Sequence, residues 1–342
     1  MRNQRANPSA LAKVVVTSVV DFTALEAAFG AALTQAPELL PRSLPARVVI
    51  KPNLCDNAAW ETGATTDPAW LGVLARALRA RRPDVVIDVV ESDAISMYRA
   101  FRACDESFER LGYVEAAREA GVRLINLSRE ESWEIQVPTF PEPVRIPALF
   151  LEEFFLISLA NVKLHPYERF TGILKNNYGL LPQSDRSGLH MRLPEILFTV
   201  HQLCRTDLAI LDGRIGLEGK GPIFGRPKRL NRLVVSNDAL AADQTACRLI
   251  GLEPDTVPHL RYAAQQSGQK REEVEVHGHL TPSPFTVDDP ETVSLIIRKF
   301  ALRRFHRRLE KHSERAMNWA AEAWHHPLGF AGRVARRVFA RK

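Results

Sequence analysis

The apolar stretch FFLISLA, residues 154–160, is followed directly by a polar segment, NVKLHPYERFTGILKNNYG, residues 161–179. A continuous apolar run of this length is typical of a strand buried on both faces of a parallel sheet. Six further runs of the same kind occur along the chain, at residues 13–20, 47–52, 84–92, 122–127, 207–213 and 232–237. Helical patterns lie between many of these runs, so the sequence predicts an α/β fold with a mostly parallel sheet covered by helices.

Two proline-rich segments divide this pattern. Residues 133–153 contain four prolines and alternate apolar with polar side chains, which is typical of extended strands or a hairpin and could separate two lobes. Residues 279–290, HLTPSPFTVDDP, have the composition of a linker at the end of the globular body. The sequence therefore predicts an α/β body at residues 1–285, as one unit or two lobes, followed by a basic amphipathic helical tail at residues 286–342.

The positive charge of the chain is concentrated at its C-terminal end. Residues 299–342 hold 12 basic and 3 acidic side chains, whereas the whole chain has a net charge of only +6, so the body is slightly acidic. A body of that charge gives no reason to expect nucleic-acid binding. The tail combines a helical apolar period with arginines. This pattern is typical of a helix on an anionic membrane surface, and a helix packed on the body or on a second subunit is the alternative.

No stretch of the sequence approaches the roughly 18 apolar residues that span a bilayer, and the N-terminal apolar stretch is interpreted as a strand, not a signal peptide. A cytoplasmic location is therefore expected. The tail could in addition attach the protein peripherally to the inner face of the membrane. The cysteines form no C-x-x-C pair, which favours free thiols and gives no internal iron–sulfur or zinc motif. They are Cys55, Cys104, Cys204 and Cys247. The sequence specifies no cofactor.

Polar side chains follow the predicted strand at residues 47–52. Lys51 and Asn53 lie at its end, and Thr66 precedes a predicted helix. Ligands bind beyond the carboxyl ends of strands in open α/β sheets, and a helix start with hydroxyl and N–H donors can hold an anion. An ordinary strand end and helix cap are the alternative. The sequence therefore marks these three residues as candidates for ligand binding.

The polar segment at residues 161–179 carries a dense set of hydrogen-bond donors, and its only acid is Glu168. Such a set suits a carboxylate or phosphate ligand. A lysine beside other cations can also have a lowered pKa and act as a base or nucleophile. A basic surface loop is the alternative. The candidates are Lys163, His165, Arg169, Thr171, Lys175, Asn176 and Asn177.

A glycine-rich segment follows the predicted strand at residues 207–213. Asp212 ends that strand, and the glycines beyond it, including Gly219 and Gly221, would let the backbone approach a ligand closely in a lid or substrate loop. A plain flexible loop is the alternative. The spacing of the glycines matches neither the dinucleotide fingerprint nor the P-loop, so the segment does not predict a nucleotide.

Two aspartates accompany the end of the last predicted strand. Asp238 precedes a predicted helix, and Asp243 lies within that helix among small apolar residues. A buried carboxylate needs a partner, so Asp243 is predicted to pair with Lys51 or Lys175 and to orient a catalytic lysine. Helix capping and an ordinary ion pair are the alternatives.

Two histidines, His165 and His190, could ligate a metal together with Asp212. Their spacing fits no known local motif, so no metal site is assigned.

Taken in order, the quoted segments resemble the bacterial and archaeal domain of unknown function family 362 over roughly residues 12–270. The resemblance implies a shared α/β fold. Many relatives carry an added ferredoxin-like iron–sulfur segment, whereas this chain lacks the clustered cysteines, so electron transfer through an attached cluster would need a separate partner. The signature positions that the resemblance implies are Lys51, Asn53, Thr66, Lys163, His165, Thr171, Lys175, Asn176, Asp212, Gly219, Gly221, Asp238 and Asp243.

These observations favour an enzyme that acts on a small anionic metabolite in one cleft. Lys163, Arg169 and Lys175 would hold the negative charge, while Lys175 or His165 would transfer a proton. Asp212 or Asp243 would orient the base or bind a metal. One alternative is a redox protein or reductase subunit that receives electrons from a separate partner. Another is a binding or assembly protein on a membrane surface, and the sequence is compatible with a homo-oligomer.

Overall fold

A mixed β-sheet of nine strands, counted over the described residues, forms the centre of the protein. The structure is a computed structural model, and it describes residues 11–19, 24–95, 101–137, 140–166, 168–269 and 273–287. The predicted helical tail at residues 286–342 lies outside these ranges apart from its first two residues. In chain order the strands are β1 (Ala12–Ser18), β2 (Arg47–Pro52), β3 (Val86–Glu91), β4 (Ala94–Ile95), β5 (Phe101–Arg102), β6 (Arg123–Asn126), β7 (Ser132–Val137), β8 (Phe140–Pro147), β9 (Phe155–His165), β10 (Arg169–Thr171), β11 (Leu208–Glu218), β12 (Arg226–Ser236) and β13 (Val274–Gly278). The helices are α1 (Leu25–Gln35), α2 (Trp70–Arg79), α3 (Cys104–Arg110), α4 (Tyr113–Ala120), α5 (Ile173–Asn176), α6 (Leu193–Leu203), α7 (Ala239–Leu249) and α8 (Pro258–Ser267).

The sheet order is β13–β1–β12–β11–β9–β2–β3–β6, and the short β10 pairs with β9. The five strands from β11 to β6 are parallel to one another, and β13 is parallel to β1. Only β12 runs antiparallel to both of its neighbours among these described strands. The predicted mostly parallel sheet covered by helices is confirmed. All seven predicted strands are present, because a continuous apolar run can be buried on both faces of a central sheet.

Alternate side chains of the central strands pack into different layers of the core, as the two-residue period of a strand requires. On β2, Val48 and Ile50 lie in a core with buried side chains of α1 and α2, including Trp70. Val49 faces the opposite side and packs with buried residues of α6 and of the β7–β8 hairpin. Farther along that side, α7 and α8 cover β1, β11 and β12. The central strands are therefore buried on both faces.

The proline-rich segment at residues 133–153 contains the antiparallel hairpin β7–β8. The hairpin residues Phe140, Val144 and Ile146 are buried in the same core as Val49 of β2. The hairpin consequently covers the sheet and does not separate two lobes. The described residues, which end at Val287, form one compact unit.

The segment predicted as a linker, residues 279–290, packs on the body over its described part, so that prediction was wrong for residues 279–287. Phe285 is buried, and its N–H donates to the Ile250 carbonyl at 2.9 Å. The Thr286 carbonyl accepts the Gly219 N–H at 3.0 Å. The apolar Phe285 side chain explains the difference, because its burial holds the segment against the sheet.

The first half of the glycine-rich segment is strand, whereas the sequence predicted a loop beginning after Asp212. β11 continues to Glu218, with a register irregularity between Gly213 and Ile215, and the loop to β12 is confined to residues 219–225. A Cβ atom on Gly216 would lie 2.9 Å from the Val162 carbonyl oxygen and closer still to Phe285. Glycine is therefore required at this position for close packing, not for mobility.

Candidate functional site

The candidate site lies beyond the carboxyl ends of β2 and β9, where the polar segments meet. Lys51 ends β2, Lys163 and His165 end β9, and α5 carries Lys175 across these strand ends. The Lys51 and Asn176 side chains approach to 3.5 Å. This contact joins the polar residues at the end of the strand at residues 47–52 to the polar segment at residues 161–179. We call the group formed by Lys163, His165 and Lys175, together with Arg186, the cation cluster.

Lys51 is fully engaged in a buried ion pair. Its ammonium donates to Glu91 Oε2 at 2.9 Å and to the Pro52 carbonyl at 2.6 Å. Burial lowers the pKa of Lys51, and the neighbouring Glu91 carboxylate opposes that change. Removing one partner of such a pair costs about 3–5 kcal/mol, because an uncompensated charge stays buried. Lys51 therefore holds β2 to β3, and sequence reasoning missed Glu91 although it ends a predicted strand.

A network of buried amides and hydroxyls fixes the strand ends. Asn53 donates through Nδ2 to the Ala64 carbonyl and to Asn161 Oδ1, both at 2.9 Å. The Thr66 hydroxyl lies 3.2 Å from Asn161 Oδ1 and 2.9 Å from the Asn53 N–H that donates to it. The sequence predicted that Asn53 and Thr66 bind a ligand. In the structure their hydrogen bonds join β2, β9 and the residues that precede α2.

Lys163 is a buried ammonium whose described partners are neutral or weakly acidic. Its Nζ donates to the Ala64 carbonyl at 2.9 Å and to Cys55 Sγ at 3.1 Å, and 2% of the residue is exposed. No carboxylate forms an ion pair with it within the described ranges. A lysine ammonium has three N–H groups, so one donor remains for a ligand.

The short helix α5 is held in place by Asp243. Its two carboxylate oxygens accept the N–H groups of Ile173 at 2.7 Å and Leu174 at 2.9 Å. Burial raises the pKa of Asp243 to about 7, against these two hydrogen bonds, which favour the carboxylate. The sequence predicted that Asp243 pairs with Lys51 or Lys175, which is wrong. It positions Lys175 through the backbone of the helix that carries it.

Lys175 is half-buried and has no hydrogen bond or ion pair among the described residues. Its Nζ lies 6.0 Å from the centre of the Tyr178 ring. Burial lowers the pKa of Lys175 to about 8, assisted by repulsion from Lys163 and Arg186 and opposed by Cys55 and Glu168. The Lys175 amine can therefore gain or lose a proton close to neutral pH.

His165 is a neutral imidazole beside these cations. Burial lowers its pKa well below the ordinary value, and repulsion from Lys175 adds to that effect. Its Nδ1 accepts the Glu168 N–H at 3.1 Å, so the ring carries its proton on Nε2. The Glu168 carboxylate is itself bound by His259 Nδ1 at 2.9 Å. Sequence reasoning missed His259, which lies 91 positions after Glu168.

Arg186 completes the cation cluster and was also missed. It is 8% exposed, and Nη1 donates to Ser92 Oγ and to the Leu181 carbonyl, each at 2.6 Å. Its guanidinium stands 5.3 Å from the centre of the Tyr178 ring. Arg186 lies in a stretch without hydrophobic period, so only the high density of polar residues there could have indicated it. His190 lies close by, with Nδ1 3.3 Å from the Tyr178 hydroxyl.

Asp212 belongs to a different buried network. Its carboxylate accepts Trp70 Nε1 at 2.8 Å and Arg214 Nη2 at 2.7 Å, and Arg214 also donates to Asp67 at 2.9 Å. The Arg214 guanidinium covers the Trp60 ring at 4.5 Å. The prediction that Asp212 orients a base or binds a metal is not supported by these contacts, because the carboxylate is already engaged by strong donors.

The remaining candidate residues lie in different parts of the structure. Asp238 caps α7 by accepting the Ala241 N–H at 2.8 Å, so it acts as the helix cap that the sequence offered as an alternative. Arg169 is exposed and has a positive φ of 61°. Thr171 is buried opposite Lys163 in the β10–β9 pairing. Gly221 approaches β9 so closely that a Cβ atom would lie 2.1 Å from the Leu164 carbonyl oxygen.

Two further contacts complete the placement of the predicted residues. Asn176 donates through Nδ2 to the Lys51 carbonyl at 2.9 Å, and the buried Asn177 accepts the Ser158 hydroxyl at 2.8 Å. Gly219 has a φ of 74°, a left-handed conformation that favours glycine. The described chain contains no group of three or more His, Cys, Asp and Glu side chains that could hold a metal. Nor does any helix in it have the length and apolar character to cross a bilayer.

Comparisons with families, curated proteins and solved structures show what this chain is similar to. Residues 48–248 match the family described as "Domain of unknown function (DUF362)". A thylakoid-associated protein of Synechocystis sp. is 32% identical over 118 residues, which are 32% of this chain and 36% of that protein. The lactate racemase apoprotein of Thermoanaerobacterium thermosaccharolyticum shares 11% identity with a TM-score of 0.42, over 71% of this chain and 57% of that one. The chain thus spans about a third of the first protein and just over half of the second.

Proposed function

Since this chain belongs to the DUF362 family, whose description names no reaction, we propose a function from its own side chains. The protein binds a small carboxylate or phosphate anion beside Lys175 and transfers a proton there. The observation that carries this proposal is the unpartnered Lys175 amine in a cluster with Lys163 and Arg186, neither of which pairs with a carboxylate among the described residues.

The charge balance of the cluster supports an anionic ligand. Glu91 is neutralised by Lys51, and Glu168 is bound by His259. Positive charge on Lys163, Lys175 and Arg186 therefore exceeds nearby negative charge. Buried charges are costly unless they are paired, so an anion bound beside Lys175 replaces the missing partner.

Proton transfer is supported by the same geometry. A general acid or base works best when its pKa lies near the working pH, and Lys175 has a pKa of about 8. At neutral pH its ammonium can donate a proton, and the neutral fraction can accept one. His165 remains neutral beside it and adds no positive charge to the cluster.

Anion binding is expected to weaken as the pH rises through about 8. The anion favours the ammonium form of Lys175, whose pKa in the free protein is about 8, so each pH unit above that value lowers the affinity up to tenfold. Calorimetric titration with sulfate, which does not titrate in this range, measures the dependence. The matched control replaces the exposed Lys220 of the glycine loop with methionine, which should leave the curve unchanged. An affinity that is flat between about pH 7 and 10 contradicts the proposal for Lys175.

A second proposal concerns the chain beyond the described body. The Synechocystis relative is named as thylakoid-associated, and the basic tail at residues 299–342 has the composition of a membrane-surface helix. We propose that the tail attaches the protein to anionic lipid, at about 1 kcal/mol per basic residue near the surface.

In liposome sedimentation, the full chain should bind vesicles that contain anionic lipid and detach at high salt. A version that ends near residue 290 should stay in solution, and neutral vesicles serve as the control. Equal sedimentation of the two versions would mean that the tail packs on protein instead.

A further inference from the structure

We propose that Lys175 is also a covalent nucleophile, which forms an imine with the carbonyl carbon of a small oxo acid whose carboxylate is attracted by Lys163. This inference rests on the proposed function, because it identifies the anion as a carboxylate that bears an aldehyde or ketone. Among the described lysines with assigned partners, Lys51 is held by Glu91 and Lys163 by Ala64 and Cys55, so neither amine is free to attack.

The first requirement of imine formation is an accessible amine that is partly neutral. Lys175 is partly exposed as a residue and has no hydrogen-bond partner among the described residues, so no described group occupies its nitrogen lone pair once the proton leaves. Neighbouring cations and burial lower the pKa of this amine to about 8, the condition under which lysine acts as a nucleophile. At pH 7 the neutral fraction is about 300 times that of an ordinary lysine.

The second requirement is a positioned anion next to the carbonyl. Lys163 has one N–H beyond its two described bonds, and its charge acts on Lys175. The imine requires that a carboxylate bound to this N–H leave its adjoining carbonyl carbon within reach of the Lys175 amine. The ring of Tyr178, 6.0 Å from the amine, provides an apolar side to the same space.

The third requirement is a path for the protons. The neutral amine attacks the carbonyl carbon and forms a C–N bond, while the carbonyl oxygen takes up a proton. Loss of the C–O bond then releases water, which carries away the two protons that the Lys175 nitrogen gives up, so the step balances without a proton from the protein. His165 stays neutral throughout, because its pKa is lowered well below the ordinary value. No oxidant or reductant is consumed.

The test is borohydride trapping on the full-length protein with glyoxylate, analysed by peptide mass spectrometry at pH 7. The expected result is one reduced adduct on Lys175, in excess of the exposed Lys220 by about two orders of magnitude. Glycolate, which has a hydroxyl where glyoxylate has the carbonyl, should compete but form no adduct. Lys175→Arg keeps the charge and should lose the adduct at this position entirely, while circular dichroism reports whether the variant is folded.

The outcomes separate the two proposals. If glyoxylate and glycolate both bind and glyoxylate gives no adduct on Lys175, the imine is wrong and the anion site stands. The imine is also wrong if the label is spread evenly over the exposed lysines. It is wrong as well if the parent shows no excess label on Lys175 and the folded Lys175→Arg variant is labelled to the same extent as the parent. If neither acid nor sulfate binds, the proposed anion site fails together with the imine.

Discussion

Replacing Lys175 with methionine is expected to weaken the binding of small anions about 100-fold while leaving the protein folded. A hydrogen bond to a charged group contributes about 1.5–3 kcal/mol, which corresponds to a factor of roughly 10 to 150 in affinity. Methionine keeps much of the volume of the lysine side chain and removes its charge. Because no described residue pairs with Lys175, the substitution leaves no buried partner unsatisfied.

The stability of the same variant provides an independent measurement. The pKa of Lys175 in the folded protein, about 8, is below the ordinary value of 10.5, so the unfolded chain binds more protons between these values. The stability of the parent should therefore rise as the pH increases from about 8 to 10, and the variant should lack this rise. Calorimetric titration with sulfate and urea unfolding at several pH values measure both effects. If the folded variant binds sulfate as tightly as the parent, Lys175 does not take part in anion binding.

Replacing Gly172 with alanine is expected to destabilise the fold by about 3–5 kcal/mol. The added Cβ would lie 2.0 Å from Asp243 Oδ1 and 2.7 Å from the Phe170 ring. Asp243 is fully buried and would have to move, leaving its carboxylate and the N–H groups of Ile173 and Leu174 without their bonds. The start of α5 would be lost, so the variant should also bind sulfate poorly.

Gly30→Ala is the matched control for this substitution. Gly30 is exposed on α1, and no atom lies within 4 Å of the position of an added Cβ. The change should stabilise the helix by about 0.5–1 kcal/mol, because alanine restricts the unfolded chain. Urea unfolding of both variants measures the two opposite effects. If Gly172→Ala unfolds within about 1 kcal/mol of the parent, Asp243 does not hold α5 as described.

The strands were predictable because a run of apolar residues is a local signal. The run at residues 47–52 became β2 without change, since both of its faces are covered. The extent of β9 and β11 was not predictable, because their polar ends are buried by segments distant in the sequence. Phe285, about 70 positions later in the chain, covers Gly216 of β11, and no residue near Gly216 in the sequence indicates this contact.

The sequence indicated the hydrogen-bond donors of the candidate site, but not the partner that each donor binds. Sequence position indicates that Lys51 ends a strand, but it does not give the strand order that brings Glu91 beside it. Asp243 was recognised as a buried acid, yet its partners are backbone N–H groups, which every residue except proline has and which no sequence pattern distinguishes. Arg186 and His259 reach the cluster through folding alone, so no periodicity identified them.

The position of β1 has a consequence for the protein during its synthesis. β1 lies between β12 and β13, more than 200 positions later in the chain. At a translation rate of about 5–20 residues per second, the first of these partners is complete roughly 10–45 s after β1. Throughout that interval the apolar strand AKVVVTS has neither of its native neighbours, and an unpaired strand of this kind is a template for aggregation. The β1 side of the sheet can therefore be completed only after β12 has been made.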